Sequence, residues 1–289
     1  MPKLQELVAA ELNAPVDGRV GQMASEIARQ HGSAALAVLF YGSCLREQQL
    51  DGRMLDFYLI VSDYRAAYAK RWLALANRLI PPNVFYFEQS GLAAKYAVLS
   101  EADFAHECSQ EAWTVSTAAR FSQPSRLVWS AGTAAAERII QIVSGAVPSL
   151  LGWTSSVAPR DASAIDLWKR AFNLTFGAEL RAERSERSEQ IVDADPQRYE
   201  RFAKAAGPVQ VLGRNGRDWW RSKQLHGKFY SIVRLAKASL TFAGGAEYIA
   251  WKINRHAGTT IRLKAWQRRH PLLAGISLLP RLLRSGVVH

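Results

Sequence analysis

The chain has 289 residues, 48% of them hydrophobic, and two cysteines, Cys44 and Cys108. That composition argues against global disorder, a disulfide framework and a cysteine-rich zinc module, and it fits a reducing compartment. The net charge of +12 is lopsided: residues 1–206 hold 22 Lys and Arg against 23 Asp and Glu, whereas residues 207–289 hold 15 against 2. Such asymmetry implies an anionic partner for the last part, either a membrane surface or nucleic acid.

The start, MPKLQELVAAELNAPVDG, carries acids and no long apolar run, so no signal peptide is expected. No stretch of 18 uninterrupted apolar residues occurs, so no transmembrane span is expected. Leu4, Leu7, Val8 and Leu12 recur at helical spacing, as do Val20, Met23, Ile27 and Ala28, predicting helices over 3–12 and 19–31. Two apolar runs then predict strands over 35–41 and 54–61, separated by Gly42-Ser43 and a polar loop. A helix over 64–79, closed by Pro81-Pro82, and strands over 83–88 and 94–99 come next. Ser100 with Asp103 three residues on reads as a helix N-cap, and a helix is expected to resume over 113–121 until Pro124.

Residues 126–147 are rich in Ala, Ile and Val and predict a helix, and residues 148–159, with Gly, Ser and two prolines, a boundary. One long helix is expected over 161–189, its charged second half a solvated face, and another over 195–206. A glycine-bearing linker over 207–217 opens the basic part. There an amphipathic helix over 225–242, a short helix over 247–256 and an apolar run, Leu272–Leu283, flanked by arginines are expected. The expected organisation is α+β: a mixed sheet with helices over 1–125, a helical domain over 126–206 and a basic amphipathic region over 207–289.

The chemistry concentrates in residues 38–61, VLFYGSCLREQQLDGRMLDFYLIV. A strand ending in Gly-Ser lets backbone approach phosphate oxygens, and successive N–H groups there can cradle an anion. A carboxylate on the next strand can hold Mg²⁺ against the same phosphates. Asp56 is that carboxylate, an acid in an otherwise apolar strand, where it is costly unless paired or metal-bound. The plainer alternative is a Gly-Ser turn between core strands with a solvated acid at the edge. The pattern resembles the nucleotidyltransferase signature, which usually has two acids one residue apart. Here Tyr58 stands at the second position.

A longer set of motifs, FYGSCLREQ…MLDFYLIV, AKYAVLSEADF and WTVSTAARFSQPSRLV, resembles the mitochondrial translocator assembly and maintenance protein family. That family comprises peripheral CDP-diacylglycerol synthases of nucleotidyltransferase fold. The positions that carry the resemblance are Tyr41-Gly42-Ser43, Gln48, Asp56-Phe57, Lys95-Tyr96, Ser100, Asp103, Trp113, Ala119-Arg120 and Pro124, within residues 38–128. The family also lacks the second acid. Cys44 and Ala97 stand where the family usually has glycine, and the chain reads as a bacterial relative because it has no transit sequence.

What the resemblance implies is cytidylyl transfer from CTP to phosphatidate, giving CDP-diacylglycerol and pyrophosphate. Asp56 and Lys95 would be catalytic, Lys95 neutralising a phosphate oxygen. Tyr41, Gly42, Ser43, Gln48 and Arg120 would bind nucleotide or phosphate. Mg²⁺ would sit on Asp56, with Asp51 or Glu88 as a second carboxylate. A plainer role remains open for each outlying residue: Lys95 and Arg120 as solvated cations, Glu88 as a solvated strand end.

A lipid acceptor also gives the basic part a role at the cytoplasmic face of an anionic membrane. Basic helices bearing Trp and Leu lie in the headgroup zone. Trp251, Trp266, Arg268, Arg269, Leu272, Leu273, Leu278 and Leu279 are the expected peripheral membrane contacts. Two rivals stand beside this reading. One is a nucleotidyltransferase that modifies RNA or a protein, with Trp219-Trp220 stacking on bases. The other is a non-catalytic scaffold. Nucleic acid is the less expected partner, because Leu272–Leu283 is more apolar than an RNA surface requires.

Overall fold

The computed structural model describes residues 2–178, 186–209 and 215–241. Helices α1 (Pro2–Leu12) and α2 (Gly18–Gln30) lead into strand β1 (Ala35–Tyr41). The short helix α3 (Ser43–Glu47) and strand β2 (Met54–Val61) follow, then α4 (Tyr64–Ala67), α5 (Arg71–Leu79), β3 (Asn83–Gln89) and β4 (Leu92–Ser100). Next come α6 (Glu101–Glu107), α7 (Ser116–Phe121), β5 (Ser125–Ser130), α8 (Thr133–Ser155), α9 (Ala164–Phe176), α10 (Glu186–Asp193), α11 (Pro196–Ala206) and α12 (Gly216–Thr241). The fold is α+β with one mixed sheet, as expected.

The five strands lie in the order β3-β4-β2-β1-β5. β1 pairs antiparallel with β2 and β5, β3 antiparallel with β4, and β2 runs parallel to β4. Alternation along β2 sends Leu55, Phe57, Leu59 and Val61 into a core beneath α2, which contributes Val20, Met23 and Ile27. Tyr58 and Ile60 point the other way, into a core built by α1, α6, α7, α8, α9 and α11. Asp56 shares the parity of Tyr58 and Ile60, so it lies on that second face, at the end of the sheet where β1 gives way to α3.

The structure departs from the predicted elements in several places. The helix expected over 64–79 breaks at Tyr68–Lys70: Tyr68 turns extended, φ −128° and ψ 126°, and is buried in the core below. The helix expected to resume at residue 113 begins at Ser116. Buried Glu107 instead holds the turn before it, accepting from Trp113 N (3.1 Å), Thr114 N (3.4 Å) and Thr114 Oγ1 (2.6 Å). Residues 125–130 form the fifth strand rather than a helix, its Leu127 and Trp129 each packed against one core. The sheet therefore extends past residue 125, and a single core cluster runs from Leu4 to Trp220.

Finally, α8 passes straight through Pro148 and the expected boundary. Its second half is buried, and Ser149 Oγ (3.1 Å) and Trp153 Nε1 (3.1 Å) donate to the carbonyls of Cys108 and Gln110. Tertiary packing outweighs the lost backbone hydrogen bond. α8 is also the one helix among the described residues long and apolar enough to cross a membrane. Much of its apolar face is committed to the core, including Ile139, Val143, Val147 and Leu150. No clear membrane span emerges among the described residues. The long helix expected over 161–189 ends at Phe176, capped at Gly177.

Candidate active site

Register places one row of side chains across the sheet. Asp56 is the pairing partner of Tyr41 on β1 and of Lys95 on β4; Tyr86 pairs with Lys95 on the outer side, and Ser125 with Tyr41. Lys95 Nζ lies 3.1 Å from Asp56 Oδ1, with the side chains 36% and 20% exposed. The acid in the apolar strand is thus paired, and it sits at the rim of the core rather than in bulk water.

Gly42 closes the other side of the carboxylate. Its φ of +96° and ψ of −163° belong to glycine, and a Cβ there would come within 2.9 Å of Asp56 Oδ2. The backbone therefore passes directly over the acid before α3 begins. Cys44, the first departure from the resembled pattern, anchors α3: its thiol is buried and donates to Met54 O at 3.3 Å, tying the helix to the start of β2. Burial pushes that thiol's pKa up, with the Asp56 charge adding to the shift, so it stays protonated. Ala97, the second departure, is buried two residues beyond Lys95 on the same face.

Tyr58 fills the place of a second acid with an aromatic ring. It packs against Tyr41 (5.3 Å between centroids), Phe121 (5.2 Å) and Phe104 (6.4 Å). Phe121 also meets Tyr41 at 5.9 Å, so α7 lies on the Asp56 face and carries Arg120 in its last turn. Ser43, half-buried, opens α3, and Gln48, exposed and left-handed (φ 52°), ends it.

The two further acids are not brought to Asp56. Asp51 is 78% exposed and held by Arg19 at 2.8 Å. Glu88 is exposed and accepts from Tyr86 Oη at 2.8 Å. Its strand is two strand spacings from β2, roughly 10 Å. Asp51 is thus engaged by Arg19 and Glu88 by Tyr86, and neither is placed as a second metal ligand beside Asp56. Among the described residues no group of three or more His, Cys, Asp or Glu side chains could hold a metal.

A cationic cluster on the other flank of the Gly42 turn was not anticipated. Arg198 of α11 is buried and pairs with Glu11 of α1 through Nε (2.5 Å) and Nη2 (2.8 Å), while Nη1 donates to Ser122 O at 3.1 Å. Arg46 of α3 donates to Gln123 Oε1 at 3.0 Å. Arg126 is half-buried, and its pKa is lowered by burial and by the charge of Arg198, against the pull of Glu11. Only Ser122, Gln123, Ser125 and Arg126, at the junction of α7 and β5, hinted at this in the sequence.

Helix α12 lies along β3, and Gly227 lets it close on the end of α9, since a Cβ there would meet Ala178 O at 2.3 Å. Arg234 Nε donates to Pro81 O (2.7 Å) and Lys237 Nζ to the carbonyls of Ile80 and Pro82. Leu225, Phe229 and Ile232, at helical spacing, stay more than half exposed, as do Leu75 and Leu79 of α5, with Trp72 nearly so. Trp220, by contrast, is buried and donates to Trp153 O at 3.1 Å, while Trp219 packs on Trp153 at 5.5 Å. Trp220 is core and Trp219 is partly buried against it, so Trp220 is not free to stack on a base. The expected membrane contacts Trp251, Trp266, Arg268, Arg269, Leu272, Leu273, Leu278 and Leu279 lie outside the described residues.

Compared with models of known protein families and with curated proteins, the sequence matches none.

Proposed function

We propose that the chain is a nucleotidyltransferase that moves CMP from CTP to phosphatidate or a similar lipid phosphomonoester, releasing pyrophosphate. The observation that carries this reading is the meeting of the Gly42 backbone with the Asp56 carboxylate, with Lys95 across the next strand. A side-chain-free approach of main chain to an acid, beside a lysine, suits a phosphate chain lying along the turn.

The acceptor's phosphate oxygen is already nucleophilic near neutral pH, so it attacks the α-phosphorus without a general base, and the bond to the leaving pyrophosphate breaks. The protein's share is positioning and charge neutralisation. Lys95 neutralises a phosphate oxygen, and the amides opening α3 at Ser43 receive the outer phosphates. Tyr41, the partner of Asp56 on β1, lies in the same row, and Gln48 and Arg120 are proposed as further contacts of nucleotide or phosphate. One carboxylate fits a Mg²⁺ that arrives on triphosphate oxygens and waters, a binding mode common for that ion. Asp56 is the residue that would hold it, and the ion's contribution is to neutralise the phosphates.

A lipid acceptor accords with the apolar residues that α5 and α12 expose and with the basic residues around them, Lys70, Arg71, Arg78, Arg221 and Lys228. Peripheral attachment to an anionic membrane surface is the proposed location.

The decisive experiment is mass-spectrometric detection of a CDP-lipid after incubation with CTP, Mg²⁺ and phosphatidate vesicles, with Asp56→Ala as control. No CTP-dependent pyrophosphate release with any lipid phosphate, or equal release by Asp56→Ala, overturns the reading.

A further inference from the structure

One part of the sheet face that carries Asp56 is left open. Ala93, Lys95 and Tyr86 are half-buried and Glu88 is exposed, whereas Leu92, Ala94 and Tyr96, on the opposite face of β4, are buried. Register sets the open residues side by side. Tyr86 and Asp56 both pair with Lys95, and Glu88 pairs with Ala93; paired residues share a face. On the β1 side the same face is closed, because the Phe121 ring packs on Tyr41 (5.9 Å between centroids) and Tyr58 (5.2 Å). A ligand with its phosphates at Asp56 and the Gly42 turn therefore has room for its remainder over β4 and β3.

Tyr86 and Glu88 indicate what that remainder is. Tyr86 Oη donates to Glu88 Oε2 at 2.8 Å. Burial, and next the Glu88 acceptor, raises the phenol's pKa to about 12, so it stays a donor at neutral pH and holds the carboxylate in place. Oε1 remains to accept a second hydrogen bond. A carboxylate repels a phosphate or a carbonyl oxygen and takes an N–H donor. It thus disfavours the acceptor's phosphomonoester at this place and suits a base with an exocyclic amine. Cytosine carries that amine, where uracil presents an oxygen. The small side chain of Ala93 lies beside Glu88, and β3 is about 10 Å from β2, within the reach of a ribose and its base.

We propose that Tyr86 and Glu88 form the base-recognising end of the nucleotide site, Glu88 Oε1 accepting from the cytosine amine and the Tyr86 ring packing on the base. This rests on the nucleotide transfer proposed above and adds to it the side chains that choose cytosine over uracil.

The test is calorimetric titration of the full chain with CTP and with UTP, in Mg²⁺ and without lipid. The wild type binds CTP at least about tenfold more tightly than UTP, the discrimination of one charge-assisted hydrogen bond. Glu88→Leu loses CTP affinity about tenfold and UTP affinity hardly at all, which erases the preference. Glu88→Gln keeps an oxygen that accepts from cytosine and gains an amide that donates to uracil, so CTP binding stays within about twofold while UTP binding tightens. Tyr86→Leu weakens both nucleotides alike, because either base loses the ring. Glu88 is exposed, so its variants leave the melting temperature level. A merely structural glutamate would move CTP and UTP together. Equal affinity of the wild type for CTP and UTP, or a preference that Glu88→Leu leaves unaltered, overturns the base site. CDP-lipid formation is read separately. Selective CTP binding without CDP-lipid overturns the transfer and leaves the base site standing, whereas CDP-lipid formed with no preference that depends on Glu88 does the reverse.

Discussion

The Cα of Gly42 lies so close to the carboxylate of Asp56 that a methyl group on it would meet Oδ2 at 2.9 Å. Gly42→Ala therefore carries two penalties, a φ of +96° that alanine avoids and a clash with the one acid of the row. The backbone term is about 1–3 kcal/mol. Urea unfolding should show that loss, and CDP-lipid yield should fall by at least about tenfold, as a displacement near 1 Å would produce. An alanine variant with wild-type yield would remove the turn from the reaction.

Lys95→Met and Asp56→Asn separate structure from chemistry. The pair is partly exposed, so breaking it costs about 1 kcal/mol or less. Activity should fall in both variants, by about a hundredfold or more for Asp56→Asn, a loss on the scale of removing an electrostatic stabiliser. Equal and large losses of stability and activity would mark the pair as structural only.

Asp51→Asn and Glu88→Gln should leave activity within about twofold, a change under 0.5 kcal/mol. Asp51 is engaged by Arg19 and Glu88 by Tyr86, both apart from Asp56. A hundredfold drop in either would restore it as a ligand.

Arg198→Met should destabilise the fold by about 3–5 kcal/mol, because it strands Glu11 beside a core and takes the donor from Ser122 O. The urea midpoint measures this, and a shift worth less than about 1 kcal/mol would contradict it.

Lys237 supplies a pH signature. Burial, then the neighbouring Arg234, pushes its pKa from 10.5 down to about 7. Between those values the unfolded chain holds a proton that the folded chain has shed. Stability therefore rises with pH across that window, by at most about 1.4 kcal/mol per unit, and is flat in this respect below it. Urea midpoints from pH 6 to 10, wild type minus Lys237→Met, should show the rise. Parallel profiles would refute it.

The sheet and its acid were largely legible in the sequence because β1 is an uninterrupted apolar run and β2 is apolar apart from Asp56, with a glycine turn between them. What was not legible came from contacts distant in the chain. Ser125–Ser130 reads into an alanine-rich helix, and only pairing with β1 makes it a strand. Pro148 signals a break locally, yet the core around Trp153 holds α8 together. Asp51 and Glu88 looked equivalent as partners for Asp56, and register alone removes Glu88. Glu11 and Arg198 are 187 positions apart, beyond any spacing rule.

Helix α12 runs along β3, an edge strand, whose sequence NVFYFEQ has Phe85, Tyr86 and Phe87 in succession and no charge until Glu88. Bare edges of that kind recruit other chains. Expression of a fragment ending before residue 216 should thus yield precipitating material, so in the folded chain the basic helix doubles as a guard of that strand against self-association.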